Sequence, residues 1–124
     1  GIWTSSTQNY ADEIVKEIMP KDIEISFLWA RDRCIADRNL NTDEIEWVKD
    51  LRKLKKKGYN LDNIVVVDDS PEKLKRNYGN LIRINPFFGD TTDDELEKLE
   101  SFLFMIKDMG NVRVFEKRKW KNKI

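Results

Sequence analysis

The sequence predicts an α/β fold, in which a parallel β-sheet is covered by helices on both faces. Residues 64–67 are four consecutive β-branched apolar residues, a run typical of a strand that is buried on both sides. We therefore expect this run to be a central strand. Amphipathic helical patterns occur on either side of it, over residues 43–57 and 92–109. Strand-like and helix-like segments alternate along the chain, which favours parallel strands joined by helices.

The N-terminal half begins with an apparent strand end at residues 1–3, which suggests that sequence precedes it. Ser5 and Gln8 have the spacing of a capping box. They introduce a helix that Pro20 ends, and its apolar stripe consists of Tyr10, Ala11, Ile14, Val15 and Ile18. Alternating apolar residues predict a strand over residues 23–30. We expect residues 35–42 to form a polar loop.

The C-terminal half is predicted from similar signals. The helix over residues 43–57 has an apolar stripe of Ile45, Val48, Leu51 and Leu54, and Gly58 stops it. Ser70 and Pro71 suit the N-cap and first position of a short helix. A short strand follows at residues 81–84. Thr92 with Glu95 forms a second capping box before the long helix that ends near Met109.

The composition is that of a strongly charged globular protein. Lysine plus arginine and aspartate plus glutamate each number 23 among 124 residues, so the formal net charge is zero. A chain without net charge has no global field that attracts nucleic acid or a membrane surface, and no apolar run approaches membrane-spanning length. We therefore expect neither as a partner. The length predicts one domain, expected over residues 1–115, with a basic tail over residues 116–124. We expect the charged run within this tail, residues 117–123, to be solvated.

Cysteine and histidine usage excludes several function classes. The only cysteine, Cys34, cannot form an internal disulfide and favours a reducing compartment, which we expect to be the cytoplasm or the nucleus. With no histidine and one cysteine, a zinc site is not expected. A histidine-assisted serine or cysteine nucleophile is excluded within the chain.

The candidate site begins with two carboxylates, Asp68 and Asp69, at the end of the predicted central strand. Ligands of open α/β sheets bind at the carboxyl ends of strands, and two adjacent acids repel each other unless a cation separates them. Mg²⁺ suits such hard oxygen ligands. Thr4 follows another strand end and precedes a helix, and Lys49 is the cation expected to turn inward. A hydroxyl, helix-terminal N–H groups and an ammonium form a phosphate cradle.

Short segments of this chain, in this order, resemble signatures of the haloacid dehalogenase (HAD) phosphatases. Residues 3–6, Trp-Thr-Ser-Ser, are similar to the second signature, residues 48–51, Val-Lys-Asp-Leu, to the third, and residues 66–71, Val-Val-Asp-Asp-Ser-Pro, to the fourth. Residues 31–34 and several residues between 80 and 113 also resemble the NLI-interacting-factor-like branch, which includes the RNA polymerase II C-terminal-domain phosphatases.

The resemblance implies a three-layer α/β/α Rossmann-like fold and a role for each matched residue. Thr4 and Ser5 would contact the phosphoryl group, Lys49 would offset negative charge, and Asp69, helped by Asp68, would bind Mg²⁺. Arg31 would contact the substrate. The implied reaction is Mg²⁺-dependent hydrolysis of a phosphomonoester, either a small molecule or phosphoserine or phosphothreonine in a protein, through a phosphoaspartyl intermediate. The first signature, a central strand ending in Asp-x-Asp-x-Thr with the nucleophile, has no equivalent here and is expected upstream.

Two other functions remain open from the sequence alone. A chain without the catalytic Asp pair is also compatible with a catalytically inactive HAD-fold binding or scaffold protein. The basic tail with Trp120 is compatible with nucleic-acid binding, although one aromatic residue in a short basic run is a weak signal. For the individual residues, Thr4 is also compatible with simple turn chemistry, and Lys49 with a solvated helix lysine.

Overall fold

Six short strands form three two-stranded sheets, and three α-helices accompany them. The computed structural model describes all residues from Gly1 to Ile124 and divides them into two units, Gly1–Asp50 and Leu51–Ile124. Each unit contains one parallel strand pair. The α/β class predicted from the sequence is therefore confirmed, whereas the three-layer arrangement of the HAD type stays a prediction.

The first unit starts with a strand–helix–strand crossover. Strand β1 (Ile2–Trp3) and strand β2 (Leu28–Trp29) are parallel, and helix α1 (Gln8–Ile18) connects them. The ladder ends at Thr4 because the Thr4 hydroxyl accepts the Ser6 N–H at 3.1 Å and turns the chain. This short partner limits β2 to two residues, so the strand expected over residues 23–30 is confirmed only at its end. The expected helix is confirmed, although its N-cap residue makes no side-chain cap.

An antiparallel hairpin completes the first unit. Strand β3 (Ile35–Arg38) pairs with strand β4 (Ile45–Val48), and Ile35 lies opposite Val48. The predicted loop at 35–42 and the predicted helix over 43–57 are therefore wrong, since helix α2 covers only Arg52–Lys56.

Turn chemistry explains why the hairpin forms instead of the long helix. The Asn39 side-chain oxygen accepts the N–H of Asn41 at 2.9 Å, and its amide donates to Glu46 at 2.8 Å. Asp43 has φ of +60°, a left-handed conformation that short polar residues tolerate better than most and that is incompatible with a continuing α-helix. The turn therefore reverses the chain, and the β-branched and aromatic residues after it pair as a strand.

The second unit is built around a parallel pair and one long helix. Strand β5 (Val66–Asp68) pairs with strand β6 (Leu81–Arg83), and helix α3 (Glu95–Ile106) follows. The strand β5 has only β6 as a hydrogen-bonded neighbour, and the Val67 side chain is 38% exposed. The prediction that residues 64–67 form a central strand buried on both faces is therefore wrong for this structure. A ladder on one side only leaves that strand partly open to solvent.

The start of α3 also differs from the predicted capping box. Asp94 is the N-cap residue, and Thr92 donates to Asp90 instead of capping the helix. The Glu95 carboxylate points to other partners, accepting the Asn85 N–H at 2.8 Å and the Lys121 ammonium at 2.6 Å. This acid therefore joins the helix to the preceding loop and to the C-terminal segment.

The core of the second unit includes residues that the sequence suggested were solvated. Trp120, from the expected basic tail, is 2% exposed and packs against Phe102 with ring centroids 5.6 Å apart. Its indole N–H donates to the Arg83 carbonyl at 2.7 Å. Lys117 is also buried. The expectation of a solvated tail is therefore wrong for these two residues, because an aromatic anchor and a buried ammonium attach the segment to the core. The other buried members of this cluster are Ile82, Leu99 and Ile106.

We expect Trp120→Ala to destabilise the second unit by about 3–5 kcal/mol, the usual cost of truncating a large buried aromatic residue. Chemical denaturation followed by the backbone circular dichroism signal measures the change. Tryptophan fluorescence is avoided because the variant lacks one tryptophan. Val114→Ala is the matched control, because Val114 is a neighbouring apolar residue that is 82% exposed. Equal stability of the two variants would show that Trp120 does not stabilise the core.

The Glu95 carboxylate predicts a pH dependence of stability. Burial raises the pKa of Glu95, but the hydrogen bonds from Lys121 and the Asn85 backbone lower it by more, so the net pKa lies below the ordinary value of 4.5. A folded-state pKa below the unfolded value means that the stabilisation is fully present above about pH 4.5 and is lost as the pH falls through the folded pKa.

We therefore expect Glu95→Gln to lower the free energy of unfolding by about 1–3 kcal/mol at neutral pH. The difference from wild type should shrink as the pH falls below 4.5. Urea unfolding at several pH values measures both quantities. Glu97→Gln, at an exposed acid of the same helical turn, is the control. A difference that stays constant with pH would contradict the role of the charge.

Candidate functional site

The first group of candidate residues lies where β1 ends. Thr4 continues the ladder, since its N–H donates to the Trp29 carbonyl at 2.8 Å. Its hydroxyl oxygen accepts the Ser6 N–H at 3.1 Å, which leaves the hydroxyl proton available for an acceptor. The structure therefore supports turn chemistry at Thr4 and a free donor on the same side chain. Neither role excludes the other.

Arg31 is held against the same turn by two hydrogen bonds. Its side-chain Nε donates to the Ser5 carbonyl at 2.9 Å, and its backbone N–H donates to the Ser6 carbonyl at 2.8 Å. The structure thus brings Thr4, Ser5 and Arg31 together, although Arg31 is 26 residues from Ser5 in the sequence. Because only Nε is engaged in this bond, the terminal nitrogens of the guanidinium keep donors for an anion.

Aromatic rings orient the two arginines of this region. The Arg31 guanidinium lies 5.1 Å from the centroid of Trp47, and the Arg33 guanidinium lies 5.0 Å from that of Trp29. Such cation–π contacts restrict a long side chain without neutralising its charge. Sequence reasoning missed both pairs. Trp47 lies in the strand that was predicted to be helical, so no local spacing could have placed it beside Arg31.

Lys49 occupies a different setting from the one predicted. It directly follows β4 rather than lying within a helix, and it is 6% exposed. The alternative of a solvated helix lysine is therefore wrong. A lysine is almost never buried without compensating interactions, so this ammonium is a fixed positive charge within the first unit. Asp50, the next residue, is 2% exposed.

The acid pair lies in the second unit, at the end of β5. Asp68 is the last residue of the strand and is 9% exposed, and its carboxylate accepts the Ser70 N–H at 2.9 Å. The Asp69 carboxylate accepts the Ser70 hydroxyl at 3.0 Å and is partly exposed. Ser70 therefore orients both acids. Ser70 is the N-cap residue of the following helical turn, Pro71–Leu74, and Pro71 lies in its first turn, as the sequence predicted, but the Ser70 side chain makes no cap hydrogen bond.

The chemistry of this pair fits a magnesium ion that keeps most of its water ligands. Mg²⁺ in proteins is usually held by one or two carboxylates, with waters and substrate oxygens completing the shell. Asp69 is the more accessible ligand, since Asp68 is buried and bonded to the backbone. The chain contains no group of three or more His, Cys, Asp or Glu side chains that could hold a metal ion. Asp69 and Asp68 therefore offer at most a partial coordination shell.

The predicted site residues fall into two groups. Thr4, Ser5, Arg31 and Lys49 belong to the first unit, and Asp68 and Asp69 belong to the second. Within the first unit the structure joins Thr4, Ser5 and Arg31 through one turn. Within the second, Ser70 bonds both acids. No helix of the chain is long and apolar enough to cross a membrane.

The chain matches one protein-family model and is similar to two curated proteins. The model of the NLI interacting factor-like phosphatases matches residues 1–113. The chain is 31% identical over 121 residues to CTD small phosphatase-like protein 2 of Dictyostelium discoideum, an alignment that covers 97% of this chain and 19% of that protein. It is 27% identical to Nuclear envelope morphology protein 1 of Saccharomyces cerevisiae, over 90% of this chain and 26% of that protein. The chain thus spans only about a fifth to a quarter of the length of these relatives.

Proposed function

Because the chain belongs to the NLI interacting factor-like phosphatase family, within the HAD superfamily, we propose that it forms part of a Mg²⁺-dependent phosphatase. The substrate class that we propose is a phosphoserine or phosphothreonine in a protein. One relative is named a CTD small phosphatase-like protein, which supports a phosphoprotein over a small phosphomonoester. For the compartment we propose the cytoplasm or nucleus, in line with a chain whose single cysteine, Cys34, forms no disulfide.

The observation that supports the proposal best is the burial of Lys49. A buried ammonium is held in position by its surroundings, so it is a preorganised positive charge. A phosphoryl group and catalytic carboxylates gather negative charge in a phosphatase, and a preorganised cation stabilises that charge most in the transition state. The segment around Lys49, Val-Lys-Asp-Leu, is also the one that resembles the third signature of the family.

Each remaining residue has a distinct role in the proposed reaction. The Thr4 hydroxyl donates its proton to a phosphoryl oxygen, and the turn at Ser5 presents backbone N–H groups to the same group. Arg31 binds anionic groups of the substrate through its terminal nitrogens. Asp69, with Asp68 beside it, holds Mg²⁺. When bound, the ion offsets negative charge on the phosphoryl oxygens.

The proposed nucleophile is an aspartate encoded upstream of these residues. Its carboxylate attacks phosphorus and forms an acyl phosphate, while the bond from phosphorus to the serine or threonine oxygen breaks and that oxygen takes a proton from the second aspartate of the Asp-x-Asp-x-Thr signature. Water, which gives a proton back to that aspartate, then attacks the acyl phosphate, releasing inorganic phosphate and restoring the carboxylate. Because the 124 residues contain no Asp-x-Asp-x-Thr segment, a scaffold protein that only binds its partner is the alternative that the assays below distinguish.

We expect Lys49→Met, in a longer protein that includes the upstream sequence, to lower turnover of an aryl phosphate by roughly 10²–10³-fold, the usual cost of removing one preorganised stabiliser. Methionine keeps the buried stem, and thermal unfolding verifies the fold. Lys55→Met, at an exposed lysine of α2, is the control. Full activity of a folded Lys49→Met protein would remove Lys49 from the site. Turnover by the 124-residue chain alone would show that the nucleophile has been misassigned.

Magnesium binding is predicted to depend on Asp69. In the same longer protein, Asp69→Ala should abolish the calorimetric signal of Mg²⁺ binding, because it removes the more accessible of the two carboxylates. Asp108→Ala, at an exposed acid with no ion pair, is the matched control. Unchanged Mg²⁺ affinity of the Asp69→Ala protein would exclude this residue from the coordination shell.

A further inference from the structure

A cleft in the second unit has no part in the site described so far. Its volume is about 680 Å³, within the range of sites that hold ligands or short peptide segments. Its lining includes Leu81 and Arg83 of β6 and residues 113–118, which we call the C-terminal wall. Pro71 and Tyr78 line it as well. Five of the six residues of the wall follow the region that the family model matches.

The lining of the cleft is strongly basic. It contains Arg83, Arg113, Lys117 and Arg118, with Glu116 as the only acid. The Arg118 guanidinium is already paired with Glu116, with Nη2 and Oε2 at 2.6 Å. This pair keeps Glu116 ionised, because the hydrogen bonds from Arg118 lower the pKa of Glu116 to about 2. The charge of these two residues is therefore cancelled.

The two remaining arginines keep their capacity to bind an anion. Arg113 is only loosely paired, since its Nη1 lies 3.6 Å from the Asp62 carboxylate. Arg83 is exposed and makes no ion pair in the structure. A guanidinium binds a carboxylate through two parallel N–H groups, so Arg83 and Arg113 can each hold one. The cleft is therefore suited to more than one negative charge.

The C-terminal wall is held in place before any ligand arrives. The buried Lys117 ammonium donates to the carbonyls of Val112 and Phe115. Gly79 allows the wall to approach closely, because a Cβ there would lie 3.2 Å from the Arg113 carbonyl. A preformed cleft loses little conformational entropy when a ligand binds.

The exposed apolar groups of the cleft indicate the kind of ligand. Tyr78 is 59% exposed and Val114 is 82% exposed, so an inorganic anion would leave both uncovered. A polypeptide that carries apolar and acidic side chains would cover them. Strand addition to β6 is limited, because the Arg83 carbonyl already accepts the Trp120 indole N–H. Recognition would therefore depend on side chains rather than on a backbone ladder.

We propose that this cleft binds an acidic segment of the phosphoprotein substrate, with Arg83 and Arg113 holding its carboxylates and Tyr78 and Val114 contacting an apolar side chain. The proposal rests on the proposed function for the identity of the partner as substrate. Pro71, which lines one end of the cleft, lies two residues after Asp69. A segment bound in the cleft therefore extends from the neighbourhood of the candidate metal ligand.

Direct binding tests the cleft without any catalysis. A fluorescein-labelled peptide of Glu-Glu-Leu-Glu-Glu repeats is titrated with the 124-residue chain and followed by fluorescence anisotropy. We expect Arg83→Glu and Arg113→Glu each to weaken binding about tenfold or more, as expected when an attractive charge is reversed. Lys119→Glu, at an exposed lysine outside the cleft, changes the net charge equally and should have little effect.

The binding experiment also separates the other possible ligands. A peptide with glutamine in place of glutamate should not bind. Equal effects of Arg83→Glu and Lys119→Glu, or equal binding of the glutamine peptide, would overturn the proposal. Inorganic phosphate or single-stranded DNA could also be tested as competitors of the labelled peptide. If either displaces it at concentrations as low as those at which unlabelled acidic peptide does, the cleft is a general anion site and the proposal is overturned.

Kinetics of the longer protein test whether the acidic segment belongs to the substrate. A phosphopeptide with an acidic flank should show a KM about tenfold higher with Arg83→Glu and an unchanged kcat. Hydrolysis of an aryl phosphate, which has no flank, should not change. If the protein binds the peptide but has no phosphatase activity, the proposed function is contradicted, while binding of an acidic segment in the cleft is still supported. If the longer protein is active and Arg83→Glu leaves its KM unchanged, the proposed role of the cleft in substrate binding is contradicted, while the proposed function is not.

Discussion

The hydrogen bond from the Trp120 indole to the Arg83 carbonyl connects the parts of the second unit. β6 has a hydrogen-bonded strand on one side only, and a carbonyl on its other edge needs a donor if it is to be shielded from water. Trp120 supplies that donor while its ring fills the core beside Phe102. The bond thus fixes the end of the chain, and with it the position of the C-terminal wall.

Other backbone carbonyls near the ends of short strands also accept hydrogen bonds from side chains. The fully buried Asn80 donates to the carbonyls of Leu61 and Ile64, just before β5 begins. In the first unit, Arg31 donates to the Ser5 carbonyl after β1 ends. Three of the short strands, β1, β5 and β6, are therefore accompanied by a side chain that satisfies backbone carbonyls in or near them. Sheets of only two strands depend on such bonds because they have few ladder bonds of their own.

Local patterns predicted some elements and failed at others for identifiable reasons. Helices α1 and α3 were predicted because their apolar spacing extends over three turns. The hairpin was missed because Ile45 and Val48, three residues apart, would share one face of a helix, whereas in β4 they lie on opposite faces, with Ile45 exposed and Val48 buried. The turn at Asn39 and Asp43 is what selects the strand. The burial of Trp120 was missed because its partners in the core, such as Phe102, lie far away in the sequence.

Some features of the candidate site were likewise predicted from local patterns, and others were not. Asp68, Asp69 and Thr4 were predicted from signals within a few residues, a strand followed by acids or by a turn, and the structure places each at a strand end. Lys49 was selected as a charge expected to turn inward, and it is buried, but the predicted helix around it is absent. The arginine–tryptophan contacts and the basic cleft join segments that no local pattern relates.

The position of Trp120 separates two definitions of where this domain ends. The match to the family model ends at residue 113, whereas packing continues to Trp120. A protein cut at residue 113 would therefore expose Phe102 and Ile82 and leave the edge of β6 uncovered. Apolar surface next to an open strand edge promotes aggregation. A segment cut at the end of the family-model match would thus be poorly soluble, for a reason unrelated to the phosphatase signatures.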